Sequence, residues 1–312
     1  SAARYWCTDM KKPLPIIIDT DPGVDDFFCL AFGCVFRDYF DLKLVTSEGG
    51  NNATAVTTEN ALRILSFFGR NDVPVARRSD QFLTTPFGPP VARFHGENGL
   101  GDIQLPATAA RPLSLRAWDA LYATAKNSPE PIVLVTVGPL TNPAIALSVY
   151  PDLKNYIRKI VMMGGTTDRG NIGPYTEANM GHDALASRIV FQSGIPIDMI
   201  GLNVTRESRI SLSEFDAMQA PENPAIRNAM RALIAFRKGE ALHDPVAIAT
   251  LLDESIMTWR DAYTEIEFSD VETNGMCHIH YDAAVINSRI AVRLHQQAYQ
   301  KYFMEMCARC PK

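Results

Sequence analysis

The stretch Pro15-Ile-Ile-Ile-Asp-Thr-Asp-Pro-Gly-Val-Asp-Asp26 decides how the rest of the chain is read. Ile16 to Ile18 form a β-branched run without polar alternation, which predicts a parallel strand covered on both faces. Four carboxylates follow at once, Asp19, Asp21, Asp25 and Asp26, separated only by Thr, Pro, Gly and Val. The turn predicts a helix with Asp21 as its N-cap and Pro22 at its first position, leaving Asp25 and Asp26 in the first turn near the positive dipole end. That dipole is worth ~0.3–1 kcal/mol per charge, too little to offset four clustered anions. A hard divalent cation does offset them: Ca²⁺ takes roughly 6–8 oxygen ligands and Mg²⁺ about six. Capping with solvated charge is the plainer alternative, but one cap needs one Asp.

The chain has 312 residues, 46% of them hydrophobic and 21% charged, with a formal net charge of -5. This suits a globular enzyme and argues against a nucleic-acid surface, which carries a basic patch. No apolar run reaches the ~20 residues of a membrane span, and residues 1–13, read as an N-terminal extension, lack the apolar core of a signal peptide. Six scattered cysteines make no disulfide framework, so a reduced, cytoplasmic protein is expected. Cys307-Ala-Arg-Cys310 has redox spacing but no second Cys or His pair beside it, and Cys29 and Cys34 read as small buried hydrophobes.

Outward from the opening stretch, strands and helices alternate. Asp41–Ser47, Val73–Ala76, Ile132–Val137, Lys159–Met163 and Ile195–Ile200 read as strands. Helices are expected over 53–68, 114–127 and 184–192, with Trp118 in the core. Strands repeatedly stop at ligand-accessible turns: Gly49-Gly50-Asn51-Asn52, Gly138-Pro139, Gly164-Gly165. The aperiodic run 77–102 is long enough to be a binding segment, and His95 within it is a substrate contact candidate or a plain polar loop residue. The last third reads as helix over 211–238 broken at Pro221–Pro224, helix 246–252 after His243-Asp244-Pro245, strands at 263–268 and 289–294, and helix 295–307. Trp259, His278 and His280 are left structural. The pattern predicts a single α/β domain over 1–312, an open, mostly parallel central sheet flanked by helices with ligands at the carboxyl ends of the strands.

The polar groups at those ends, Asp19, Asp21, Asp25, Asp26, Asn51, Glu177, Asn179 and Asp244, are rich in oxygen and free of thiol, which suits Ca²⁺ or Mg²⁺. A spare carboxylate beside a metal site is an arrangement for hydrolysis, and the remaining groups can hold hydroxyls.

Asp19-Thr-Asp-Pro-Gly-Val-Asp-Asp26 resembles the N-terminal signature of the inosine-uridine-preferring nucleoside hydrolases. Gly50-Asn51, His95-Gly-Glu-Asn-Gly99, Gly138-Pro-Leu-Thr-Asn142, Met163-Gly-Gly165 and Glu177-Ala-Asn179 with His243-Asp-Pro245 agree in order. The resemblance implies calcium-dependent hydrolysis of the N-glycosidic bond of ribonucleosides to free base and ribose, by a homodimer or homotetramer. It implies Ca²⁺ on Asp21, Asp26, Asp244 and the Val137 carbonyl. Asp25 would be the base that takes a proton from the attacking water, and Asn51, Glu177 and Asn179 would hold the ribose, with Met163 beneath it. His243 would assist the leaving base and Asp19 brace the turn. Relatives with this His often carry tyrosines on the preceding helix, whereas residues 232–241 offer Phe236, Arg237 and Lys238. Arg237 or Glu240 then meets the base edge or merely ends a solvated helix. Two rival readings are a Mg²⁺-dependent phosphatase of haloacid-dehalogenase type, with Asp19-Thr-Asp21 as its nucleophile motif, and a non-catalytic calcium- or ribose-binding module. Gly23 and Val24 and the lack of a phosphate-binding Lys count against the first. Asp25, uncommitted in the second, counts against that.

Overall fold

The computed structural model describes residues 12–78, 81–84 and 92–312. Cys7, residues 1–11 of the expected extension, and parts of the 77–102 run lie outside the described residues. In chain order the strands are β1 Leu14–Thr20, β2 Phe40–Ser47, β3 Val75–Arg77, β4 Ile132–Thr136, β5 Ile157–Met163, β6 Ile197–Ile200, β7 Met257–Ile266, β8 Cys277–His280 and β9 Ser288–Leu294. The helices are α1 Val24–Val35, α2 Thr54–Phe67, α3 Ala92–His95, α4 Ala117–Asn127, α5 Thr141–Val149, α6 Ala178–His182, α7 Ala184–Phe191, α8 Leu202–Thr205, α9 Leu212–Ala217, α10 Pro224–Phe236, α11 Pro245–Ala249 and α12 Gln296–Ala308.

One nine-stranded sheet runs β3-β2-β1-β4-β5-β6-β9-β7-β8. It is parallel from β3 through β9 and closes with the antiparallel pairs β9–β7 and β7–β8. The predicted α/β sheet is therefore present, with an antiparallel edge added. Successive β1 side chains face opposite layers. Ile16 and Ile18 join the core formed with α1, α2, α10, α11 and α12, and Ile17 joins the core under α4, α5 and α7. Burial on both faces explains why β1 and β4 read as unbroken apolar runs. From β1 the chain winds to one side through β2 and β3, then returns to the other through β4, β5 and β6. The carboxyl ends of β1 and β4 flank that switch of direction, where open α/β sheets form their ligand crevice.

Several expectations shift. Asp21 does not cap α1; the helix begins at Val24 after Gly23, and Asp26, three residues into it, accepts the Gly23 N–H at 2.9 Å. The expected break of the 211–238 helix is present, separating α9 from α10, although it opens earlier than Pro221, after Ala217; Ser211 and Asn223 are the separate N-caps. β7 is longer than the predicted 263–268 strand, and β8 was unforeseen, because an edge with alternating burial carries no apolar run. Trp259 lies on β7 under Arg289, and His278 and His280 lie on β8 facing Glu267 and Glu265. Trp118 is half-buried against the second core layer. Cys307 and Cys310 are buried and unpaired, as are Cys29 and Cys34.

Candidate active site

The carboxyl ends of β1, β2, β4 and β5 and the start of α11 converge on a cavity of about 260 Å³ lined by Asp25, Asn51, His95, Val137, Met163, Glu177, Asn179, His243 and Asp244 among others. Every residue expected in the site lines it except Asp21 and Asp26, which lie beneath. The turn after β1 is shaped by Asn51, whose backbone N–H donates to Asp21 Oδ2 at 2.7 Å while its Nδ2 donates to the Asp21 carbonyl (3.1 Å) and Asp26 Oδ2 (3.0 Å). A side chain at Gly50 would put Cβ 2.1 Å from Asp21 Oδ2, and one at Gly138 would lie 2.9 Å from Oδ1. Glycine after β2 and after β4 is thus what admits Asp21. Beneath it Asp19 accepts from Thr46 and from Asn142 Nδ2 (2.8 Å), which makes it a brace for the turn.

Asp25, Asp26 and Asp244 can bring one oxygen each within 4.8 Å of one another. The anticipated ligands were Asp21, Asp26, Asp244 and the Val137 carbonyl, so this group has Asp25 where Asp21 was expected. Asp21 Oδ1 and Asp25 Oδ1 are buried and have no hydrogen-bond partner. Asp244 precedes Pro245 at the start of α11 as predicted, yet its side chain caps nothing. Burial, and then repulsion from neighbouring carboxylates, pushes Asp21 and Asp244 well above the usual range and Asp26 up to about 6. A crowded set of buried carboxylate oxygens, two of them with orphaned lone pairs, fits a hard divalent ion. The Val137 carbonyl faces the same cavity and accepts Asn179 Nδ2 at 3.0 Å with one of its two lone pairs.

Asp25 differs from its neighbours. Burial is the largest influence and would raise it, but Arg237 first, with further help from His95, His243 and its own backbone N–H, together outweigh burial and hold it below the ordinary carboxylate value. Burial pushes both His95 and His243 down to about 4, so near neutral pH the imidazoles are uncharged, and Arg237 is the largest of the influences that lower Asp25. Asp25 Oδ2 accepts the His243 backbone N–H at 3.2 Å, and its Oδ1 lies 3.8 Å from His95 Nδ1. His95 is no mere loop residue. It ends α3, it is buried, and its Nδ1 accepts the Val24 N–H at 3.1 Å, which puts the neutral ring's proton on Nε2. A Cβ at Gly23 would lie 2.2 Å from that nitrogen. Asn98 and Glu97 hold this segment down by accepting from Asn60 and Asn52 through their carbonyls.

On the far wall Glu177 caps α6, accepting N–H groups of Asn179 and Met180, and also that of Gly165; burial raises it to about 7. Asn179 Nδ2 donates to the Val137 and Met163 carbonyls, so its Oδ1 is left for a ligand. Arg237 is buried, with Nη1 and Nη2 on the Phe94 and Ala241 carbonyls, and so is not a solvated helix end; Glu240 is exposed beside it. Sequence reasoning missed Thr205, Arg206 and His182. Thr205 follows a strand that stops at a glycine, Ile200-Gly201, a signal already used for β4 and β5. Arg206 and His182 line the cavity from segments with no periodicity.

Buried carboxylates at the switch point of a parallel sheet, with an ionised Asp25 and two neutral imidazoles over them, define a hydrolase site built for a polar, hydroxyl-bearing substrate. Residues 16–301 match the family model described as inosine-uridine preferring nucleoside hydrolase. The chain belongs to that family. It is 33% identical over 308 residues, 96% of this chain and 99% of the relative, to the non-specific ribonucleoside hydrolase RihC of Escherichia coli O127:H6. It is 35% identical over 279 residues, 86% and 88% of the two chains, to the pyrimidine-specific ribonucleoside hydrolase RihA of Citrobacter koseri. Among solved structures, a plant nucleoside hydrolase, the PpNRh1 enzyme, superposes with a TM-score of 0.88 at 26% identity, covering 95% of this chain and 99% of its own. The purine-preferring ribonucleoside hydrolase from Gardnerella vaginalis gives 0.87 at 28%, covering 94% and 98%. The phosphatase reading fails on geometry too, because its nucleophile, Asp19, is fully buried. A binding module without catalysis is not favoured by a family of hydrolases.

Proposed function

We infer that the chain hydrolyses the N-glycosidic bond of ribonucleosides to free base and ribose, with Ca²⁺ held by Asp21, Asp26, Asp244 and the Val137 carbonyl. The observation that carries the reading is Asp25, a lining carboxylate held below its ordinary value with Arg237 foremost, its two oxygens facing the His243 backbone N–H and the His95 ring. When bound there, a divalent ion would neutralise the carboxylate cluster and supply Lewis-acid polarisation of a water. Asp25 takes the proton from that water as the oxygen bonds to C1′. The free amide oxygens of Asn51 and Asn179 and the carboxylate of Glu177 accept the ribose hydroxyls, and Met163 packs beneath the sugar. As the C1′–N bond breaks, positive charge develops on the ribosyl group, and the surrounding carboxylates stabilise it. His243 and His95 meet the departing base with N–H groups. The protein is taken to work in the cytoplasm as a homodimer or homotetramer, which light scattering on the purified chain checks directly. Incubation with inosine or uridine in phosphate-free buffer should release free base and reducing sugar in equal amounts, and chelation should stop it. Turnover of phosphate esters alone, or base release only when phosphate is supplied, would overturn the assignment.

A further inference from the structure

Thr205 closes α8, immediately beyond the carboxyl end of β6, and is completely buried. Its hydroxyl lies 2.8 Å from His243 Nδ1, and this is its one side-chain hydrogen bond among the described residues. Thr205 has a single hydroxyl proton to place. If Nδ1 carried the ring proton, that N–H would occupy the threonine oxygen and leave the hydroxyl proton buried without an acceptor, at a cost of about 1–3 kcal/mol. If Thr205 donates instead, both groups are satisfied. The ring then presents Nδ1 to threonine as a bare acceptor and carries its own proton on Nε2, the nitrogen on the opposite edge of a ring that lines the cavity. The fold fixes this contact from two sides. Ser208 Oγ lies 2.6 and 2.7 Å from the Thr205 and Leu242 carbonyls, and its one proton bridges them, tying the α8 turn to the residue before His243. The His243 backbone N–H is in turn anchored on Asp25.

We propose that Thr205 is a positioning residue that locks His243 as an Nε2–H donor to the departing base. The proposal rests on the nucleoside hydrolase reading and assigns how the leaving group is met. In the step it describes, water oxygen bonds to C1′ and gives its proton to Asp25, the C1′–N bond breaks, and its electron pair stays on the base nitrogen. The Nε2–H hydrogen-bonds that developing anion, and the base takes its final proton from solvent. His95, whose Nδ1 is likewise occupied as an acceptor, leaves the cavity with two N–H donors on neutral rings. Such a wall recognises a base through ring-nitrogen or carbonyl acceptors.

Thr205→Val removes the hydroxyl at nearly constant shape, and Thr205→Ser keeps it. Two-bond ¹H–¹⁵N correlation spectra of histidine-labelled protein, with His243 assigned by its own His243→Gln variant, read the tautomer directly. The wild type and Thr205→Ser should show protonated Nε2, and Thr205→Val should lose that pattern. In parallel, kcat for inosine and uridine should fall roughly tenfold or more in Thr205→Val with KM little changed. Hydrolysis of p-nitrophenyl riboside, whose leaving group needs no donor, should stay within about threefold, and Thr205→Ser should restore the nucleosides. Protonated Nδ1 in the wild type, or equal losses on both substrate types, would overturn the proposal. If Thr205→Val does not fold, the wild-type spectrum still decides. A wild type that carries Nε2–H but cleaves no ribonucleoside would instead defeat the parent reading.

Discussion

Loading the site with Ca²⁺ should expel protons, and the magnitude follows from the carboxylate cluster. Asp26 is moved from 3.8 to about 6 by burial and then by Asp25. At about 1.4 kcal/mol per pH unit, ionising it in the folded chain without a cation costs about 3 kcal/mol more than in the unfolded chain. The sign is that of a raised acid: the folded state holds the proton more tightly, so the stabilisation is present below about 4 and is lost as pH rises to about 6. Asp21 and Asp244 are also raised well above the ordinary value, so they add to that loss in the same direction. A bound cation removes the cost by pairing the charges. The stability gap between calcium-loaded and chelated protein should therefore widen from pH 5 to pH 8. Contributions common to both forms, including those of the two imidazoles, largely cancel in the gap. At a free cation concentration near 100 times Kd the gap is about 2.7 kcal/mol, which moves Tm by roughly 5 °C in a chain of this size. Calorimetric titration in two buffers of different ionisation enthalpy should show on the order of one proton released per cation near pH 6. A gap independent of pH, or binding with no proton release, would refute the idea that this cluster is the cation site. So would an Asp26→Asn variant with the same pH dependence as the wild type.

Asp25→Asn should lower kcat by about 10²–10⁴ while the calcium-dependent Tm shift persists; full activity would remove Asp25 as the base. His243→Ala should slow inosine and uridine far more than p-nitrophenyl riboside, and equal losses would assign the ring to structure. Gly50→Ala forces a methyl group against Asp21 and should cost about 1–3 kcal/mol of stability and weaken calcium binding, read by thermal melts with and without chelator. The loaded protein should lose stability as pH falls from 6.5 to about 4, because His95 and His243 are held uncharged in the folded state and take up protons when it unfolds. A His95→Asn, His243→Asn double variant should flatten that slope in acid melts.

The parallel half of the sheet was legible because burial on both faces leaves nothing but apolar residues between turns. β1, β4 and β5 announced themselves this way, and their glycine-bearing ends marked the crevice. The antiparallel edge was not legible for the converse reason. β8 buries Cys277 and leaves His278 and His280 exposed, so its alternation over four residues gives no signal above a loop. The α1 start was misjudged by a local rule that tertiary structure overrode: Asp21 in an N-cap position would have satisfied one helix N–H, but Asn51 claims its carboxylate across the sheet, and Asp26 takes over at Gly23 from inside the helix.

Residue types alone made the site legible as a set, and an expected division of labour came only with the family resemblance. Asp19, Asp21, Asp25 and Asp26 are equivalent in sequence; what separates them is what reaches each from elsewhere. Thr46 and Asn142 immobilise Asp19, Asn51 claims one oxygen of Asp21, and Asp244, 218 residues beyond Asp26, completes the anionic cluster. Asp25 receives a buried cation, Arg237, from the end of α10, a position that in sequence read equally well as a solvated helix terminus, whereas the buried cation that acts on Asp19 is Arg78. Charge on that helix end therefore acts twice. It helps to hold Asp25 ionised, and it disfavours a second and third positive charge on His95 and His243. With the imidazoles uncharged, the leaving base must be met by hydrogen bonds rather than by a ready-made imidazolium. The ring's orientation then matters more than its basicity, and it falls to a buried threonine at a strand end to set it.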